Sequence, residues 1–231
     1  MKRPTVLVLS LAAALALAAC QRNQLSSGQM RAHYQRVADI RLAIIQGDLQ
    51  RAKVIARIVA EGGDATGLPA SAAMYITEMR DHAREVADAN DVTVAALGTA
   101  RMAGACGNCH RATHGGPHYS VVGRPEQGAG PLSAAMERHY WAADRMWEGL
   151  IGPTDSAWAA GALALADLPN YQRQIRASPR DSADVQALAQ QLHQVAVRAS
   201  LASADNAREE VYGEFLATCA TCHQITHGGP H

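Results

Sequence analysis

Apolar residues recur along most of the chain at spacings of three and four, the period of helices that bury one side. Met30, His33, Val37, Ile40 and Ile44 make one such seam, of the kind that bundles enclose. Gly47-Asp48 then offers a stop followed by a new N-cap, and Leu49, Ala52, Ala56 and Val59 form a second stripe. A third helix is expected near Ala70 to Ala89, with Ile76, Met79, Ala83 and Val86 inward. Asn90 or Asp91 can cap a fourth, whose Val92, Ala95, Thr99, Met102, Cys106 and Cys109 share a face. Gly115-Gly116-Pro117 should end it, Gly taking the left-handed C′ position and Pro blocking continuation.

The pattern occurs twice. Cys106 to His118 reads CGNCHRATHGGPH and Cys219 to His231 reads CATCHQITHGGPH, while Met30-Arg31-Ala32-His33-Tyr34 returns as Met136-Glu137-Arg138-His139-Tyr140. Met136, His139, Ala143, Met146 and Leu150 repeat the first seam. The offset grows from 106 at the start of the repeat to 113 at its end, which places about seven extra residues in the second copy, near Leu168 to Pro179. Gly152-Pro153, Ser178-Pro179 and Asp205 mark the helix boundaries of that copy. The expected fold is all-α: two tandem four-helix bundles over residues 20–118 and 132–231, joined by a Gly- and Pro-rich linker, 119–131.

The amino terminus belongs to neither copy. Lys2 and Arg3 precede an apolar run from Val6 to Ala19, too short to span a bilayer and ending in small residues, which reads as an export signal over residues 1–19. Leu17-Ala18-Ala19-Cys20 resembles the bacterial lipobox. That resemblance implies cleavage before Cys20, acylation of its thiol and a membrane anchor; Gln21 after it would favour the outer membrane, facing the periplasm. A plain secretory signal with an incidental cysteine is the competing reading. Lys+Arg number 21 and Asp+Glu 21, so no clustered basic excess suggests nucleic acid. One Phe and three Trp are few large rings for two cores, which leaves space for something else to fill.

With Cys20 set aside, four cysteines remain, in Cys106-Gly107-Asn108-Cys109-His110 and Cys219-Ala220-Thr221-Cys222-His223. Both read C-x-x-C-H, the attachment pattern of c-type haem. Thiols three residues apart lie on one helix face and can reach both vinyl groups of a porphyrin, after which the next His turns onto the iron. A Cys₄ zinc site usually draws its pairs closer together in sequence. A thioredoxin-like pair wants a βαβ context, and disulfides would not call for a His after each pair. Two covalent c-type haems are therefore expected, on Cys106 and Cys109 and on Cys219 and Cys222.

Four amphipathic helices with C-x-x-C-H late in the last one resemble the cytochrome c prime family, the class II c-type cytochromes, once per copy over nearly the whole mature chain. The resemblance implies that His110 and His223 are the proximal iron ligands, and that the first helix of each copy faces the other side of the iron. The tandem arrangement and the His in M-x-x-H-Y depart from the family pattern. Met30 and His33 share the inward face, as do Met136 and His139. A buried His among aliphatic neighbours needs a partner, so His33 and His139 are the expected distal ligands; Met30 and Met136 are the alternative, and an open site is the third reading. Tyr34 and Tyr140 are pocket candidates or ordinary packing residues.

His114, His118, His227 and His231 are left open among helix-end polar residues, partners of haem propionates and ligands of a second metal. His82 and His193 are expected at the surface. The functional expectation is a lipid-anchored one-electron carrier of the periplasm, not an enzyme, serving redox proteins or quinol-linked donors. A gas-binding sensor or scavenger with an open distal site is the alternative. A dihaem peroxidase is disfavoured because two near-identical copies do not divide labour.

Overall fold

A computed structural model describes residues 30–62, 70–120, 131–166 and 182–228, with Gly28 and Gly123. The expected export signal over residues 1–19, Cys20, most of the expected linker, the insertion near Leu168 to Pro179, and His231 lie outside the described residues. The regular structure of the described residues is all helical. Helix α1 covers 30–45, α2 Leu49–Glu61, α3 Ala73–Asp88 and α4 Val92–Thr113, with a 3₁₀ turn at Ala70–Ala72. The second copy supplies α5 Pro131–Ile151, α6 Asp155–Ala166, α7 Ala183–Leu201 and α8 Asp205–Thr226. Among the described residues no helix is long and apolar enough to cross a membrane.

The seams read from the periodicity are the buried ones. Val37, Ile40, Ile44, Ala52, Ala56, Val59, Met79, Ala83, Val86, Ala95, Thr99 and Met102 are inside, as are Ala143, Met146 and Leu150. Asp91 caps α4 by accepting from the backbone N–H groups of Thr93 and Val94, and Asp48 caps α2 through Arg51 N–H. His82 and His193, expected at the surface, are partly buried. His82 meets Glu85 through Nδ1 at 3.1 Å, whereas Nδ1 of His193 is buried without a hydrogen-bond partner.

The end of α4 also departs from expectation. The left-handed residue is His114 (φ 51°), not a glycine, and its repeat mate His227 (φ 48°) ends α8 in the same way. His tolerates this region better than most side chains. Turning at His114 lets Gly115 N–H reach the carbonyl of His110 (3.1 Å), and it lays Gly116 (φ 99°) flat on the His110 ring, where any Cβ would collide with the imidazole. In α8 the Gly228 N–H reaches the carbonyl of His223 (3.2 Å).

Helices pack across the two copies as well as within them. Along the α4–α8 contact Leu97 meets Gly213, Gly104 meets Glu209 and Arg111 pairs with Asp205 at 2.7 Å, so the helices run antiparallel. Their C-x-x-C-H segments consequently lie toward opposite ends. Extending the Gly104–Glu209 register sets Cys106 level with Ala207. From Ala207 to Cys219, α8 climbs roughly 18 Å at about 1.5 Å per residue.

Helix α1 packs against α5. There the buried Arg41 guanidinium pairs with Asp144 and lies over the Trp147 ring, 5.2 Å from its centroid. Residues 41 and 147 hold the same position in the two copies, so this contact is close to a pseudo-twofold axis. Trp147, Tyr212 and Phe215 continue the contact as one ring cluster, with centroids 5.9 and 5.7 Å apart.

Candidate functional site

Each C-x-x-C-H segment lies in the last turns of a long helix, with the two thiols half-buried on its inward side and free of disulfides. Burial raises the Cys106 and Cys219 thiols to about 12, and their neighbours Cys109 and Cys222 push in the same direction. Unmodified, these are protonated, weakly reactive thiols, unlike those of a redox pair with a lowered pKa. Among the described residues no three His, Cys, Asp or Glu side chains converge to hold a bare metal ion. The exposed His114, His118 and His227 form no such group.

The imidazoles of the two motifs are held alike. His110 Nδ1 lies 2.7 Å from the carbonyl oxygen of Ile151, and His223 Nδ1 lies 2.6 Å from that of Ile45. A carbonyl has no proton to give, so Nδ1–H is the donor in both, and in the neutral ring it is Nε2 that carries the lone pair. This is the tautomer and the orientation by backbone carbonyl that iron-ligating histidines use. The donor set, two thiols and one correctly protonated imidazole per helix end, fits a covalently attached haem.

The carbonyls are available for a local reason. At the end of α1, Gly47 N–H bonds the Ile44 carbonyl (2.8 Å) and Asp48 N–H bonds that of Ala43 (2.9 Å), with Gly47 left-handed (φ 75°). That closure uses the carbonyls before Ile45 and leaves Ile45 for His223. At the end of α5, Thr154 N–H bonds the Gly149 carbonyl (3.2 Å), and Pro153, which has no N–H, stands where Gly47 stands. Ile151 is thus the counterpart of Ile45.

The distal candidates are partly buried on α1 and α5. Burial lowers His139 to about 3, helped by the charge of Arg138 and by the nearby His223, so His139 stays neutral at ordinary pH and lies within electrostatic reach of the motif His of its own copy. His33 is likewise lowered, by burial first and then by Arg36 and Arg80, and its Nδ1 is buried with no hydrogen-bond partner. Its surroundings therefore include two arginines beside the aliphatic seam. Met30 and Met136 are partly buried near them. Tyr34 (41% exposed) and Tyr140 (43% exposed) sit at the rim.

Several neighbours of the motifs escaped sequence reading. Tyr119, assigned there to the linker, covers Gly152, and its hydroxyl is raised by burial and by Tyr34, Glu148 and Cys106 nearby. Tyr212 is buried near Cys219 and donates to the Ala143 carbonyl at 2.9 Å. The duplication could not have flagged Tyr212, since residue 99, its mate, is Thr. Comparison with protein-family models, curated proteins and solved structures finds nothing that matches this chain.

Proposed function

We propose that this chain is an exported, lipid-anchored dihaem cytochrome of two tandem helical bundles, similar to class II c-type cytochromes, and that it carries single electrons in the periplasm from quinol-linked or protein donors. The observation that carries this reading is the matched pair of Nδ1–H bonds, His110 to Ile151 and His223 to Ile45. An incidental C-x-x-C-H would not be expected to present a bare Nε2 twice.

In this reading Cys106 and Cys109 hold one haem and Cys219 and Cys222 the other, with His110 and His223 as proximal ligands. Each haem, when bound, supplies an iron that cycles between ferric and ferrous states. The chain itself orients the proximal imidazoles, excludes water through the α4, α5 and α8 cores, and keeps His139 in the unprotonated form that can ligate. His33 and His139 are the preferred distal residues, because a buried imidazole nitrogen without a partner, as at His33, is stabilised by a metal. Met30 and Met136 are the alternative pair.

The test is to express the chain with a c-type maturation system, denature it and weigh it. Two haem masses are expected, with low-spin iron by paramagnetic resonance. A mass without haem removes the reading. High-spin irons that bind carbon monoxide or nitric oxide would replace electron transfer by gas binding.

A further inference from the structure

We propose that each repeat positions the proximal imidazole of the other, so that neither haem site is complete within its own half of the chain; the inference rests on the dihaem reading above. His110 belongs to the first copy, yet its acceptor Ile151 closes the first helix of the second. His223 belongs to the second copy, and its acceptor Ile45 closes the first helix of the first. Positions 45 and 151 are repeat mates, as are 110 and 223, so the exchange is reciprocal.

Close backbone contact surrounds both exchanges. Gly107, inside the first motif, lies against the Leu150 carbonyl so tightly that a Cβ would collide with it. Across the axis a Cβ on Gly47 would fall 2.6 Å from Gln224 Cγ and 3.2 Å from the Ala220 carbonyl oxygen, and Gln224 Nε2 donates to the Gly47 carbonyl at 2.9 Å. Glycine is used once on the haem helix and once on the crossing helix end, to the same effect. The carbonyl of Ile45 is therefore a positioning group for His223, and that of Ile151 for His110. Each fixes ring rotation and tautomer and strengthens the imidazole as a donor to iron.

Substitution at either helix end should accordingly register at the haem of the opposite repeat. In the full chain with both haems, Gly47→Val strains a left-handed turn and presses on Gln224. It should shift the ferric paramagnetic-resonance signal and raise the midpoint potential of the haem on Cys219 and Cys222, leaving the haem on Cys106 and Cys109 as it was. Gly152→Ala should do the converse. Chains carrying Cys106→Ser with Cys109→Ser, or Cys219→Ser with Cys222→Ser, assign each signal. Gly47→Ala is the milder variant should circular dichroism show that Gly47→Val does not fold. A shift confined to the haem of the substituted repeat, or no shift at either, overturns the proposal while leaving two haems by mass. A denatured mass with no haem removes the reading and the proposal together.

Discussion

The surroundings of the two motifs differ far more than the motifs do. Around the second, α5 and α8 bring Trp147, Tyr212 and Phe215, whose repeat mates in α1 and α4 are Arg41, Thr99 and Met102. Around the first stand Tyr119, Arg145 and Glu148, with Asp39 and Leu42 as the mates of the last two. Arg145 donates to Glu148 at 2.5 Å, and burial raises that carboxyl. What the copies share is the C-x-x-C-H residues and the helix-end carbonyls that meet them; what they do not share is how the space between them is filled. Duplication preserved the chemistry while one interface between the halves was packed by rings from a single side.

The comparison breaks most severely at the thiols. On the dihaem proposal, Cys219→Ser with Cys222→Ser should remove one haem and keep the other, read as the loss of one haem mass, whereas loss of both would mean that neither half matures alone. Next is the ring cluster. Trp147→Ala should cost about 3–5 kcal/mol in denaturant unfolding, as large core truncations do. Its asymmetry is sharpened by Thr99→Ala, which removes a hydroxyl bonded to the Ala95 carbonyl and one buried methyl and should cost about 1–2 kcal/mol.

A smaller contrast concerns the motif interior. Gly107→Ala forces α4 away from the Leu150 carbonyl and should cost about 1–3 kcal/mol, the range of overpacked cores. Its mate in reverse, Ala220→Gly, should cost only about 1 kcal/mol, the helix-propensity difference.

The least effect is expected from Glu209, whose mate is Ala96. Burial raises its carboxyl to about 7, with Glu78 and Asp205 adding and Arg101 opposing. A raised folded value means that the folded chain holds the proton more tightly. The contribution is thus full below the ordinary carboxylate range and fades as pH climbs through 7. Because the group is partly solvated, about 1 kcal/mol is the expected size. Glu209→Gln should flatten that part of the stability–pH curve, and an unchanged curve would assign the slope to other groups.

Much of the helical layout was legible. The seam residues Val37, Ile40 and Ile44 and the Asp91 cap follow from spacing and from cap chemistry, which are local. The distal candidates were narrowed to two pairs for the same reason, since M-x-x-H puts both side chains on one face. The left-handed His114 was not legible. Two glycines next to it looked like the better cap, and only the need to lay Gly116 on the His110 ring moved the turn forward. Arg41 was hidden because its mate is Trp147, and both Arg41 and Tyr119 owe their positions to a helix of the other copy.

By itself the sequence determined the helices, the duplication and the two C-x-x-C-H units, because hydrophobic period, capping and thiol spacing are written within a few turns of chain. Tertiary structure alone decided that Ile151 meets His110 and Ile45 meets His223. Which carbonyl a helix end leaves unsatisfied is a local matter, but which imidazole comes to donate to it depends on how α1 and α5 pack, and burial of apolar surface, being non-directional, sets that packing only through the molecule as a whole.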